Sequence, residues 1–392
     1  MGIEITPSRR DSKFNDLATL KISHSKGAFE TPNRMINRHD INAKDNIGAE
    51  IPLTSSSKTF MLQENVDPEA LHHILNDNGY LDVVVKKVRS FDERADMSDA
   101  LVLLYPHLTA DAVADMSTEQ GYEFVRFFGD VAVELQLDSV VMPVVGDLGQ
   151  ELLLVRKRNL QLIPVLNLRE TTQTLSNQYE YCRKTGANDI PLIAFKFAPF
   201  PKANKGYNMV MDTLDKLHEG KQATLILDAP RRMRGNYPSI SGPHYAPFFI
   251  ADLVSETYRV ANWQPNDEKT KEEVEQETRK SLRLFCKNDL TVPEITSPQF
   301  AKEFIIAEEA RSFENDRKLK ELLMRIAENR LEPADWRQRR PFNLSRVHEN
   351  IRAREEFELL QKRIGSGESK DYLAEKKEMN AIVSTHLKDR KE

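Results

Sequence analysis

The fold is decided by four short apolar runs in the middle of the chain: SVVMPVV (139–145), LQLIPVLNL (160–168), IPLIAFKF (190–197) and ATLILDA (223–229). They are continuous and rich in Val, Ile and Leu, and they do not alternate between apolar and polar residues. A parallel strand that is buried on both faces needs this composition. Each run is followed by a longer segment of helical character. The pattern therefore indicates βα units built around a parallel sheet.

The same pattern extends outward in both directions. We predict further strands in NRMIN (33–37), AEIPLT (49–54), LDVVVKKV (81–88) and DLVSETYRV (252–260), with ALVLLY (100–105) competing for the third place. About eight βα units within roughly 230 residues match a (β/α)8 TIM barrel of the α/β class, which typically takes around 250. A doubly wound open sheet is the alternative. Such a sheet usually carries a Gly-rich phosphate turn after an early strand, and the sequence has none.

Helix boundaries and a change in amino-acid composition divide the chain. Asp67 is predicted to cap a helix that begins at Pro68, Ser117 to begin another, and Gly186 to end a third. After the last predicted strand the sequence becomes charge-dense, and apolar residues recur at helical spacing between 298 and 331. We therefore predict a barrel domain over residues 1–265. A helical extension over 266–392 would pack on the barrel and end in a charged tail.

The amino-acid composition limits the possible partners and the cellular compartment of the protein. The chain has 392 residues, of which 40% are hydrophobic and 30% charged, and its formal net charge is -5. An acidic protein can still bind nucleic acid if its Lys and Arg side chains gather on one face. Two distant cysteines, Cys182 and Cys286, form no disulfide framework and no zinc pattern. With no secretory signal and no membrane-spanning apolar run, we expect a cytoplasmic protein.

Candidate functional residues follow from the predicted strand ends. Active sites of TIM barrels lie at the carboxyl ends of the strands. The polar residues that fall at or just after the last five predicted strands are Asp147, Asn167, Lys196, Asp228, Arg231, Arg232, Arg234, Asp252, Ser255, Glu256 and Arg259. This set combines carboxylates, amides and cations, as a site that handles a charged polar substrate requires.

Three early segments resemble the amino-terminal portion of the tRNA-guanine transglycosylase superfamily: HSKGAFETPNRM (24–35), IGAEIPLTSSSKTFMLQENVDPEAL (47–71) and NGYL (78–81). Those enzymes exchange a guanine in a nucleic acid for a deazaguanine-type base on a (β/α)8 barrel. The segment FIADLVSETYR (249–259) resembles the strand that carries their nucleophile. A compact chain without an appended RNA-binding domain fits the branch that modifies DNA at least as well as the branch that modifies tRNA.

The resemblance implies a role for each candidate. A carboxylate must attack the sugar C1′ or stabilise its positive charge, and we expect Asp252, Asp228 and Glu256 to be the catalytic acids. Substrate binding falls to Asp147, Asn167, Lys196 and Ser255, the last of which takes the family's nucleophile position. Arg231, Arg232, Arg234 and Arg259 would hold the phosphates of the flipped strand. No cofactor and no metal ion are expected.

Two other functions stay open. The family's zinc-ligand cysteines, its Asp-Ser-Gly-Gly-Phe loop and its nucleophilic Asp have no counterpart here, which favours a catalytically inactive nucleic-acid-binding paralogue or partner subunit. Lys196 lies between two phenylalanines, and apolar surroundings favour the neutral amine that a Schiff-base lyase uses. The expected partners are DNA or tRNA and a deazaguanine-type base. No membrane partner is expected, and a homodimer remains open.

Overall fold

The computed structural model describes residues 2–10, 18–77, 79–114, 116–196, 200–227, 251–255, 273, 285, 317–328, 330–332, 334–335 and 338–376. Within them, one parallel sheet contains nine strand segments: β4 (Asn33–Arg34), β5 (Ile36–Asn37), β6 (Thr59–Val66), β7 (Leu101–Leu108), β8 (Ser139–Pro143), β9 (Gln161–Asn167), β10 (Leu192–Lys196), β11 (Ala223–Leu227) and β12 (Leu253–Val254). Their order in the sheet is β4-β12-β11-β10-β9-β8-β7-β6-β5.

The sheet returns on itself. Only Met35 separates β4 from β5, so the two segments are halves of one strand; one half pairs with β12 and the other with β6. The backbone N–H of Met35 also donates to the Val254 carbonyl at 2.8 Å. The result is a nearly closed parallel barrel with eight strand positions. This confirms the predicted (β/α)8 fold.

Two of the predicted strands are wrong. Residues 81–88 belong to helix α4 (Tyr80–Ala95), and Val84, Val85 and Val88 are buried on one face of it at helical spacing. Their β-branched composition suggested a strand, but their periodicity is that of a helix. The competing prediction at 100–105 is confirmed as β7.

The other error concerns the second strand, which was predicted at 49–54. There Pro52 precedes the short helix α2 (Leu53–Ser57), and the strand follows as β6. Pro52 suits the start of this helix, because the first N–H groups of a helix have no intrahelical partner and the donor that proline lacks costs no hydrogen bond there.

An antiparallel sheet that we did not predict closes the amino-terminal end of the barrel. It consists of β1 (Glu4–Arg10), β2 (Ala18–His24) and β3 (Gly27–Glu30) in that order. The Gln161 side chain, at the start of β9, accepts from the Ile3 backbone N–H at 2.6 Å and donates to the Ile3 carbonyl at 3.2 Å. Ser25 Oγ donates to Asp138 Oδ2, just before β8, at 2.6 Å. The sheet therefore covers the strand starts.

Helices surround the barrel, and their predicted ends are confirmed. The remaining described helices that precede β12 are α1 (Arg38–Ile47), α3 (Pro68–Asn76), α5 (Ala110–Ala114), α6 (Thr118–Glu134), α7 (Leu148–Arg156), α8 (Thr172–Thr185) and α9 (Phe200–Glu219). The Asp67 carboxylate accepts from Ala70 N, and Ser117 forms a capping box with Gln120. Gly186 ends α8 at a φ of 86°.

The described carboxyl-terminal helices are α10 (Arg317–Ala327), α11 (Arg340–Ser366) and α12 (Ser369–Glu375). Helix α11 packs along α1 and the first barrel strand, and its later part contacts β1 and β2. This is the place of a helix that follows the last strand of a barrel. The predicted domain boundary at 265 lies outside the described residues. Among the described helices, none is long and apolar enough to cross a membrane.

Candidate active site at the carboxyl end of the barrel

The interior of the barrel is apolar along most of its length. Side chains of a strand alternate between its two faces, and the inward faces contribute to one buried cluster that also includes residues of β1 and β2. Its barrel members include Met61, Leu103, Val141, Ile163, Ala194 and Leu225. The outward faces pack against the helices in a second cluster. The interior is therefore a filled core, as in other barrels of this size.

The inward face becomes polar at the carboxyl end. The same alternation that turns Met61, Leu103, Val165, Ala194 and Leu253 inward places polar side chains two or four positions later on the same face. We call this set the polar ring; it comprises Gln63 and Asn65 on β6, Tyr105 and His107 on β7, Asn167 on β9, Lys196 on β10 and Ser255 after β12. Most of its members are half-buried.

Hydrogen bonds and strand register order the first part of the ring. Gln63 is the register partner of Tyr105, and Asn65 is the partner of His107. Gln63 Nε2 donates to Asn65 Oδ1 at 2.8 Å, and the Tyr105 hydroxyl lies 3.1 Å from His107 Nδ1. Since neighbouring strands lie about 4.8 Å apart, these four side chains form one contiguous polar surface.

Three predicted binding residues complete the ring. Asn167 and Lys196 are the last residues of adjacent strands and are register partners. Asn167 Oδ1 accepts from the Arg169 backbone N–H at 3.0 Å, which fixes the amide at the strand end. Ser255 is buried, and its backbone N–H donates to the Ile226 carbonyl at 2.8 Å. The structure thus brings Asn167, Lys196 and Ser255 to the same end of the barrel.

Asp147 lies at this end of the barrel, but its side chain caps a helix. Its Oδ1 accepts from the Gln150 backbone N–H at 2.9 Å as the N-cap of α7, and the residue is exposed. The loop before it is held by Glu151, whose Oε1 accepts from Val145 N at 2.9 Å and from Gly146 N at 2.7 Å. Glu151 is fully buried, and burial raises the pKa of this carboxyl to about 7.

Replacement of Glu151 by Gln is expected to remove a pH dependence of stability. Because the carboxyl's pKa is raised from 4.5 in the unfolded chain to about 7, the folded protein binds the extra proton between these values. The contribution of the protonated Glu151 carboxyl to the free energy of unfolding is fully present below pH 4.5 and is lost as the pH rises through 7. The variant should therefore gain up to roughly 3 kcal/mol relative to the wild type at pH 8, and little at pH 4.5.

Urea unfolding of both proteins at the two pH values measures this difference. Glu119→Gln, an exposed substitution at the start of α6, is the matched control. An equal effect of Glu151→Gln at both pH values would contradict the assignment.

Asp252 lies at the opposite end of the barrel from the polar ring. It precedes β12, and its Oδ2 accepts from Thr224 N at 2.7 Å and from Thr224 Oγ1 at 2.9 Å. Thr31 Oγ1 donates to Oδ1 at 3.3 Å, and His218 Nε2 lies 3.3 Å from Oδ2. This buried network joins the starts of β11 and β12 to the segment before β4. The geometry supports a structural role for the Asp252 carboxylate.

The remaining predicted residues lie outside the described part of the chain: Asp228, Glu256, Arg231, Arg232, Arg234 and Arg259. Four ring residues were missed by the sequence analysis, namely Gln63, Asn65, Tyr105 and His107. A signal for them exists, because QEN and YPH each place two polar side chains at alternate positions at the end of a strand. The strand that contains QEN was predicted too early, at 49–54, and the strand that contains YPH was predicted to end at residue 105.

The chemistry available in the ring is that of amides, hydroxyls, an imidazole and an ammonium group. Among the described residues, no cluster of three or more His, Cys, Asp or Glu side chains could hold a metal ion. No protein-family model matches the chain, and a comparison with curated proteins found no match.

Proposed function

We propose that the chain is a pentosyltransferase that exchanges guanine for a deazaguanine-type base in DNA or tRNA. The observation that carries the proposal is the polar ring, where amides, a tyrosine–histidine pair and a lysine share the carboxyl end of an apolar barrel. The resemblance of the early segments to the transglycosylase superfamily supports the same reaction.

The side chains of the ring suit a guanine-like base. The edge of such a base presents hydrogen-bond donors and acceptors side by side, and an amide side chain offers both. Gln63, Asn65 and Asn167 supply three amides at one end of the barrel. The apolar interior beneath them suits the flat face of a base taken out of its stack. We assign base recognition to these three residues.

The covalent step needs a carboxylate outside this set. As far as the structure describes it, the polar ring contains no carboxylate. We therefore assign the attack on the sugar C1′ to Asp228 or Glu256, which follow Leu227 and Ser255 directly in the sequence. Arg231, Arg232, Arg234 and Arg259 would hold the flanking phosphates.

Asn167→Ala is expected to reduce incorporation of a labelled deazaguanine base by roughly 10–100-fold, the equivalent of one lost hydrogen bond to the base. The assay measures label transferred into DNA and into tRNA, run side by side. Asp228→Asn and Glu256→Gln identify the nucleophile, because the variant that lacks it should transfer none. Asn76→Ala, which removes an exposed amide on α3, is the matched control.

The assay can also reject the proposal. If the wild type transfers no label into either polymer, base exchange is wrong. Persistent binding of one polymer would then favour the inactive nucleic-acid-binding paralogue.

The placement of Lys196 favours one further candidate function. Lys196 ends β10, and strand alternation places it on the same inward face as Ala194, at the carboxyl end of the barrel. A Schiff-base lyase would be trapped covalently by borohydride in the presence of a carbonyl substrate, and Lys196→Arg would abolish trapping. Base exchange predicts no trapped adduct.

A further inference from the structure

We propose that His107 is the proton-transfer residue of the base exchange and that Tyr105 positions its ring. This inference rests on the proposed function. It is carried by the geometry of the two side chains on β7: both lie on the inward face, and the Tyr105 hydroxyl is 3.1 Å from His107 Nδ1. Their ring centroids are 5.6 Å apart with an interplanar angle of 68°.

Packing fixes the position of the Tyr105 ring and thereby of the pair. The residue is only 3% exposed and belongs to the apolar cluster of the barrel interior. Its ring is therefore held by packing, while its hydroxyl reaches the polar ring. His107, two residues later, is half-buried at the carboxyl end, next to its register partner Asn65. A proton-transfer group must combine such fixed orientation with access to substrate.

The hydroxyl suits both protonation states of the imidazole. When the ring is neutral, the Tyr105 O–H can donate to Nδ1; when it is protonated, Nδ1–H donates and the same oxygen accepts. The hydrogen bond thus survives a change of charge with no movement of heavy atoms. A backbone N–H or carbonyl could serve only one of the two states. Histidine is also the side chain whose ordinary titration range lies near neutrality.

The exchange reaction requires one group that first gives and then takes a proton. As the carboxylate of Asp228 or Glu256 bonds to C1′, the C1′–N bond to guanine breaks and its electron pair passes to the base. The His107 imidazolium protonates the departing ring nitrogen through Nε2. In the second half, the incoming base attacks C1′, the bond to the carboxylate breaks, and the ring N–H of that base returns its proton to Nε2. Atoms and charge balance with no further reactant.

The test compares exchange rates and their pH dependence. His107→Gln keeps a polar amide of similar reach but cannot transfer protons, and it should lower the exchange rate by about 10²–10⁴-fold without weakening nucleic-acid binding. Its rate profile should lose the pH-dependent limb that the imidazole contributes. Tyr105→Phe keeps the buried ring and should lower the rate less, while displacing that limb. His72→Gln, on the exposed side of α3, is the matched control.

Chemical rescue separates a chemical role from a structural one. Added imidazole should restore part of the rate of His107→Ala but not that of Asn167→Ala. If the wild type exchanges bases and His107→Gln matches it in rate and pH profile, the inference is overturned and the proposed function stands. A wild type that exchanges no base in either polymer overturns both.

Discussion

Replacement of Arg346 by Leu is expected to cost about 3–5 kcal/mol of folding free energy, because it removes the guanidinium group that contacts a buried carboxylate directly. Arg346 Nε donates to Asp40 Oδ1 at 2.6 Å, and its Nη2 donates to Asn37 Oδ1 at 3.2 Å. Asn350 Nδ2 also donates to Asp40 Oδ1, at 2.8 Å. Asp40 is fully buried. These contacts hold α11 to α1 and the end of the first strand.

The pKa of Asp40 also depends on Arg346. Burial alone would raise the pKa of Asp40, but the Arg346 and Arg34 guanidinium groups hold it below its ordinary value. A carboxylate with a lowered pKa contributes stability that is present above its unfolded pKa, near 3.8, and is lost as the pH falls further. The cost of Arg346→Leu should therefore be large at pH 7 and shrink toward strongly acidic pH.

Urea unfolding measures the effect against a control on the same helix. Arg354 is a partly exposed residue of α11 that pairs with Glu358 at 2.9 Å, and Arg354→Leu should cost no more than about 0.5 kcal/mol. Asp40→Asn combined with Arg346→Leu should recover part of the loss, because the buried charge is gone. Equal costs for the two arginine variants would contradict the prediction.

The second large effect is expected for Asp252→Ala, at about 2–4 kcal/mol. The substitution removes the acceptor of the Thr224 backbone N–H and of the Thr31 hydroxyl, which are both buried. A buried donor left without a partner costs about 1–3 kcal/mol. Asp252→Asn retains one side-chain oxygen and should lose less.

The Asn variant also separates two roles for Asp252. If the carboxylate is structural, Asp252→Asn should keep the proposed base-exchange activity at the wild-type level, at a temperature where the variant stays folded. A folded Asp252→Asn protein without activity would favour the catalytic role that the sequence suggested. The unfolding curve and the incorporation assay, made on the same preparation, decide between these outcomes.

The barrel could be predicted because the local sequence of its core strands is enough to identify them. The four runs from 139 to 229 are apolar on both faces, and the strands β8 to β11 fall within them. The amino-terminal sheet could not be predicted in this way. In β1, Ile5 is the only buried residue among polar neighbours, and its burial depends on barrel residues that lie far away in the sequence.

The candidate site was predictable only where strand ends were placed correctly. Asn167 and Lys196 end strands of clear apolar character, so they were found. His107 lies beyond residue 105, where the predicted strand ended, yet β7 continues to Leu108 and keeps the side chain inward. The Asp40–Arg346 pair joins residues 306 positions apart, a distance over which no local pattern carries information.

The sheet of β1, β2 and β3 has a consequence for the order of events in the barrel. Among the described residues, the strand starts are covered and the interior is filled, so a ligand can reach the polar ring only from the carboxyl end. A ligand cannot pass through; whatever enters must back out along its own path. For the proposed base exchange, one base therefore cannot leave through the barrel while the other enters. In the proposed reaction the old base would have to leave the carboxyl end before its replacement binds, and in the interval the sugar would stay bound to the protein through C1′, as in a ping-pong sequence.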